Sequence, residues 1–176
     1  YGGVRALDGI SVDFYPGEFI AIVGENGSGK TTLSKHLNGL LKPTSGTVTV
    51  SGIDSSGSGV IELSRHVGLV FQNPDTMLFE DTVEKEIEFG LRNISMEYTP
   101  EYIEKVLDEV GLSDHKGAFP RSMSRGERQR LAIACVVAMK PDVIILDEPT
   151  TGLDPIESVR IMNILEGLSG AGHTVI

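Results

Sequence analysis

A glycine-rich run, Gly24-Glu25-Asn26-Gly27-Ser28-Gly29-Lys30-Thr31, lies between the apolar segment Phe19-Ile20-Ala21-Ile22-Val23 and a stretch of helical character. Glycines at these intervals let the backbone curl until successive N–H groups point inward, which makes a cradle for phosphate oxygens. The loop then opens a helix, whose N-terminus favours anions. Lys30 reaches the outer phosphates of a polyphosphate, and the hydroxyl of Thr31, followed by Thr32, supplies a hard oxygen to Mg²⁺. Each charge-assisted hydrogen bond contributes roughly 1.5–3 kcal/mol. Several together reach an affinity on the order of micromolar.

A second run, Val143-Ile144-Ile145-Leu146-Asp147-Glu148, has four apolar residues that bury a strand and two carboxylates delivered at its C-terminal end. Open α/β sheets bind ligands at that end of their strands. Asp147 suits the Mg²⁺ side of a phosphate site, and Glu148 suits a general base acting on an attacking water. Alone, an Asp-Glu pair reads more simply as a solvated loop. Paired with the phosphate cradle it resembles the site of a P-loop nucleoside triphosphatase that uses Mg²⁺.

Further motifs follow in order. Met123-Ser124-Arg125-Gly126-Glu127-Arg128-Gln129-Arg130, leading into Leu131-Ala132-Ile133-Ala134, resembles the signature of ABC ATPases, usually written L-S-G-G-Q; Ser124 and Gly126 match. Gln72 stands where that family has its Q-loop glutamine, with roles toward the metal and in catalysis. Thr151-Gly152-Leu153-Asp154 resembles the D-loop, with Asp154 matching, and Tyr1 stands where an aromatic stacks on adenine. Singly, Gln72, Tyr1 and Asp154 have ordinary structural readings; the ordered set carries the resemblance, which spans the chain. It implies that two such domains, identical or homologous, sandwich ATP head to tail. Ser124 and the Gly126 backbone would then contact the γ-phosphate bound to the partner, while Gly24, Asn26, Gly27, Ser28, Gly29, Lys30, Thr31 and Thr32 hold the domain's own nucleotide.

Arg125 stands in place of a glycine and Glu127 in place of a glutamine. A carboxylate near phosphate adds like-charge repulsion unless Mg²⁺ or Arg125 offsets it, so slow hydrolysis or an asymmetric pair is expected. The family's switch histidine would lie beyond Val175-Ile176, and its first strand before Tyr1. The chain is therefore expected to be a piece of a longer domain that binds nucleotide better than it hydrolyses it.

The compact spacing from Lys30 to Ser124 leaves no room for the coiled coil of chromosome-organising ABC proteins. Val70-Phe71-Gln72-Asn73-Pro74-Asp75, with Leu78-Phe79 and Thr82-Val83-Glu84-Glu86-Phe89-Gly90, looks like the energy-coupling ATPases of ECF-type vitamin and metal-ion importers, with Met77 where Gln is common. That likeness implies a place on the cytoplasmic face of a membrane and a transmembrane coupling subunit seated on residues 72–80, with Phe79 either its apolar anchor or a buried member of the domain's own core. A soluble ABC ATPase acting on ribosomes or DNA is the alternative. The sequence does not identify the cargo.

The positioning elements follow from pattern. Strands are expected at Ile10–Phe14 by alternation, and at Phe19–Val23, Thr47–Val50, Val67–Phe71 and Val143–Leu146. Helices are expected over Lys30–Leu40, Thr82–Leu91, Glu101–Val110, Arg125–Met139 and Ile156–Leu168, with Ser124 and Glu127 forming a capping box. The chain closes on a strand at Thr174–Ile176. An α/β fold with a mostly parallel sheet and a helical subdomain inserted at about 78–138 is expected, and the resemblance implies a RecA-like core with a small antiparallel β region, in one domain over 1–176. With 176 residues, 40% hydrophobic and 23% charged, one core is expected. A net charge of −10 argues against a nucleic-acid partner. No apolar run approaches the ~20 residues that span a bilayer. The lone Cys135 reads as a small buried side chain, and His36, His66, His115 and His173 have no metal-ligand spacing.

Overall fold

The computed structural model describes residues 5–176. Three parallel strands form the main sheet in the order β3 (Val67–Val70), β4 (Val143–Leu146), β5 (Thr174–Val175). Val67 pairs with Val143 and Val70 with Leu146, and Ile144 pairs with Val175. Successive strand residues face opposite sides, so Ile144 enters one core cluster and Ile145 another. Behind the first face lie α5 (Arg125–Val137) and α6 (Pro155–Gly170), which pack Ile133, Val136, Ile161 and Leu165 against Val70 and Ile144. Leu37 of α1 (Lys30–Leu37) and the hairpin of β1 (Thr49–Val50) and β2 (Ile53–Asp54) cover the second face, with Leu63 of the one-turn helix α2 (Val60–Leu63). The contact of α5 with β3 is close: a Cβ on Gly68 would stand 2.1 Å from a Val136 methyl.

The helical subdomain has its own core. α3 (Val83–Asn93) and α4 (Pro100–Glu109) bury Ile87, Leu91, Ile103 and Leu107 against Leu131 and Ala134 of α5. Cys135 packs at its margin. Local signals set these helices. Thr82, Thr99 and Ser124 each accept a backbone N–H of the first turn, and Asp154 accepts two.

Two expectations fail and several shorten. Ile10–Phe14 forms no strand; Ile10 and Val12 are each 53% exposed, with no ladder partner among the described residues. Phe19–Val23 is not a continuous buried strand. It touches the sheet through one bridge, Phe19 to Val175, with Ile20 N–H donating to the Val175 carbonyl at 2.8 Å. Beyond that bridge no described strand covers it, and Val23 is 88% exposed. An apolar run is buried only where a neighbour supplies a ladder and a face. α1 stops at Leu37 because Gly39 takes a left-handed turn at φ 74. The expected strand Thr47–Val50 begins at Thr49, β3 ends at Val70, and α5 ends at Val137.

Candidate nucleotide site

The glycine-rich loop lies between the Phe19 bridge and α1. Gly27 and Gly29 have φ of 84 and 99, conformations that side-chain-bearing residues avoid. A Cβ on Gly24 would meet the Ser28 hydroxyl at 2.7 Å, so the loop closes on itself. Asn26 is exposed, and Thr32 follows in α1, where its carbonyl accepts a hydrogen bond from His36 Nδ1 at 2.7 Å. Lys30 Nζ donates to the Gly24 and Glu25 carbonyls at 2.9 and 3.0 Å.

One feature of α1 fits an anion. Unlike α3, α4, α5 and α6, it has no side-chain cap and no acidic residue in its first turn. Its leading N–H groups are left for an external acceptor. The oxygens beside it fit a hard divalent cation: the Thr31 hydroxyl donates to Asp147 Oδ2 at 2.9 Å, bringing an alcohol and a carboxylate together. The sequence-derived candidates for triphosphate and Mg²⁺ are thus compatible with both groups.

Sheet register brings the remaining pair together. β3 and β4 run parallel with Val70 beside Leu146, so Gln72 and Glu148, each two residues beyond, emerge side by side. Gln72 Nε2 donates to Glu148 Oε2 at 2.7 Å. Thr151 donates its hydroxyl to the same oxygen at 3.1 Å. Glu148 has φ 49, a left-handed backbone that only the surrounding turn holds in place.

The signature lies at the start of α5. Ser124 caps the helix and Glu127 completes the capping box, its Oε2 accepting the Ser124 N–H at 2.7 Å. Of the two groups that could offset the Glu127 charge, Mg²⁺ and Arg125, the latter does not reach it. The carboxylate is occupied by Ser124 and by His115 Nε2 at 3.2 Å, and the Ser124 hydrogen bonds hold its pKa below the ordinary carboxylate value. Arg125 turns the other way, to Thr151. Gly126 is packed so closely that a Cβ would stand 2.7 Å from the Glu157 carboxylate. Asp154 caps α6 through the Ile156 and Glu157 N–H groups. Tyr1 lies outside the described residues.

The segment after Gln72 is an exposed shelf. Asn73 caps a short 3-10 turn, Pro74–Thr76, and Asp75 pairs with Arg128 Nε of α5 at 2.6 Å. Phe79 is 58% exposed and meets Phe89 edge to face, ring centroids 4.6 Å apart. Beneath it, buried Glu86 accepts the Glu80 N–H at 2.5 Å. Sequence reasoning named Thr151 and Glu86 within motifs but missed the contact of Thr151 with Glu148, the burial of Glu86 and the reach of Arg125. The first is hinted at by its place three residues after Glu148, and the other two carry no local signal. Among the described residues no group of histidine, cysteine and carboxylate side chains forms another metal site, and no helix is long and apolar enough to cross a membrane.

Comparison with known proteins places the chain in a family. Residues 7–151 match the family described as ABC transporter. A provisionally named ABC transporter ATP-binding protein of Methanosarcina acetivorans is 58% identical over all of this chain and 34% of its own length. The energy-coupling factor transporter ATP-binding protein EcfA of Methanothermobacter thermautotrophicus is 44% identical over 98% of this chain and 57% of its own. Among solved structures, cbiO1 of Clostridium perfringens, part of the ABC transporter complex cbiONQ, superposes with a TM-score of 0.86 at 39% identity, covering 97% of this chain and 70% of that one. A dimeric ATP-binding cassette in a post-hydrolysis state, bound to ADP and Pi, gives 0.84 at 29% identity, covering 97% and 78%. The chain spans about a third of the length of the first curated relatives it matches, 34%, 36% and 31%.

Proposed function

The chain belongs to the ABC transporter family of ATP-binding domains, and from that membership we propose that it binds and hydrolyses ATP to energise an importer of the energy-coupling type. The observation that carries the reading is the meeting of Thr31 with Asp147 and of Gln72 with Glu148 beside an uncapped helix N-terminus. The names of EcfA and cbiO1 support the energy-coupling subtype, as does the exposed Phe79 shelf.

Residues 1–176 act as one domain whose helical part, about 78–138, carries the signature. The phosphate loop wraps the triphosphate, and Lys30 exchanges its two loop carbonyls for phosphate oxygens. Tyr1 stacks on adenine. Thr31, Asp147 and Gln72 would hold Mg²⁺, which would supply positive charge to offset that of the phosphates. Glu148 takes a proton from the attacking water, oriented by Gln72 and Thr151. A second domain, a copy or a homologue, packs head to tail and is met by Ser124, Gly126 and Asp154; the dimeric cassette neighbour supports this arrangement. Loss of the γ-phosphate contacts lets the domains part, and the motion passes through residues 72–80 to a transmembrane subunit on the cytoplasmic side.

The test is Glu148→Gln in the full-length protein. With ATP and Mg²⁺ it is expected to elute as a stable dimer with hydrolysis reduced by at least a hundredfold. A monomeric variant, or one hydrolysing at the wild-type rate, would remove Glu148 from the role of base.

A further inference from the structure

Arg125 departs from the glycine usual in the signature, and the proposed reaction does not use its side chain. From the first turn of α5 the guanidinium crosses to the turn after β4. There its Nη2 donates to the Thr151 carbonyl at 3.2 Å. It also lies against Gly152, where an added Cβ would stand 3.3 Å from both Cζ and Nε. Two backbone bonds close this turn: Thr151 N–H to the Glu148 carbonyl at 3.1 Å, and Leu153 N–H to the Thr150 carbonyl at 3.2 Å. The Thr151 hydroxyl reaches Glu148 Oε2 at 3.1 Å, the oxygen Gln72 also holds. Contacts therefore run without a break from Arg125 through Thr151 to Glu148 and Gln72.

We infer that Arg125 is a positioning residue that ties the N-terminus of α5 to the Thr151–Gly152 turn and, through Thr151, sets the Glu148 carboxylate. Glu148 needs such support because its left-handed backbone at φ 49 is not self-sustaining. Glycine at 125 has no side chain to make the crossing. The consequence rests on the proposed function. If Ser124 and Gly126 meet the nucleotide of a partner domain, the residue between them links that site to the base of its own.

Full-length wild type, Arg125→Gly and Arg125→Lys are compared first without nucleotide, by hydrogen–deuterium exchange. The glycine variant is expected to exchange the Thr151 and Leu153 amides at least fivefold faster, with the α5 amides from Leu131 to Val136 unchanged. Lysine, which keeps a donor for the Thr151 carbonyl, recovers part of the protection. Steady-state hydrolysis is then expected to show kcat lowered threefold or more in the glycine variant, with KM for ATP within twofold. Unchanged exchange at Thr151 and Leu153 overturns the tether, as does a kcat equal to or above wild type. If the exchange difference is present but wild type itself neither binds nor hydrolyses ATP, the tether stands and the ATPase reading falls.

Discussion

Glu148 and Glu86 show how one residue type serves two ends. The Glu148 carboxylate is exposed to hydroxyl and amide donors from Thr151 and Gln72. Its left-handed backbone carries strain of order 1–3 kcal/mol, as is common where chemistry needs an awkward direction. Glu86 is buried, and its carboxylate accepts the Glu80 N–H below the Phe79 shelf. Burial pushes its pKa up, against the lowering effect of hydrogen bonds from the Glu80 and Phe79 N–H groups. A raised pKa means that the native state holds the proton more tightly than the unfolded chain. The stability this group contributes is therefore full below the unfolded value and is lost as pH rises through the folded one. Glu86→Gln, neutral but still an acceptor, is expected to match or exceed wild-type stability in urea melts at pH 8. Glu86→Leu leaves the Glu80 N–H unpaired and is expected to cost about 1–3 kcal/mol. A glutamine variant much weaker than wild type at pH 8 would mean the loop requires the charge.

At the scale of elements, α5 connects the sheet, the helical subdomain and the signature. Its start is held by the capping box, and the replacement of the family glutamine by Glu127 makes that box titratable. The Ser124 hydrogen bonds, ahead of His115 and Arg130, keep the Glu127 pKa low. A lowered pKa gives stability that is present above the unfolded value and lost as pH falls through the folded one. Glu127→Gln keeps an acceptor and removes the proton site. Its stability is expected to fall less than that of wild type between pH 5 and pH 3, whereas Ser124→Ala loses about 1 kcal/mol at neutral pH. Equal acid sensitivity of wild type and Glu127→Gln would place that sensitivity elsewhere. The middle of α5 is set by β3. Gly68→Ala would drive a methyl into Val136 at 2.1 Å and is expected to cost about 1–3 kcal/mol in thermal melts. A melting temperature within a degree of wild type would show that the helix can shift away.

For the whole molecule, two packed units are joined through α5: the sheet with its covering helices, and the helical subdomain with its own core. The face after Gln72 shows an aromatic shelf, and the net charge is −10. Such a charge disfavours duplex nucleic acid, whose affinity comes largely from phosphate neutralisation. Purification of tagged full-length protein from detergent-solubilised membranes is expected to bring down small integral membrane proteins and an ATPase partner. Phe79→Asp is expected to lose the membrane proteins and keep ATP binding. Ribosomes or nucleic acid in place of membrane proteins would leave the ATPase assignment and overturn the transporter.

Composition and local pattern were enough for the glycine-rich loop, the two carboxylates after β4 and the capped start of α5. Each of these is contiguous in the chain, so neighbouring residues carry the whole signal: a glycine run, four apolar residues before two acids, a hydroxyl before a first turn. They were not enough for the extent of burial. Phe19–Val23 and Ile10–Phe14 carry strand patterns, yet pairing depends on a neighbour that pattern does not specify. The contacts that finish the site are also non-local. Thr31 of α1 meets Asp147 across 116 residues, and Gln72 meets Glu148 across 76 because β3 and β4 pair in parallel with Val70 beside Leu146. Arg125 reaches Thr151 only because α5 and α6 pack on the same face of that sheet. Sequence determined which groups could do the chemistry, since that is a property of residue type and spacing. Tertiary structure decided which of them touch, since Gln72 meets Glu148 only in the observed β3–β4 register, and a one-residue slip turns a strand's side chains to the other face.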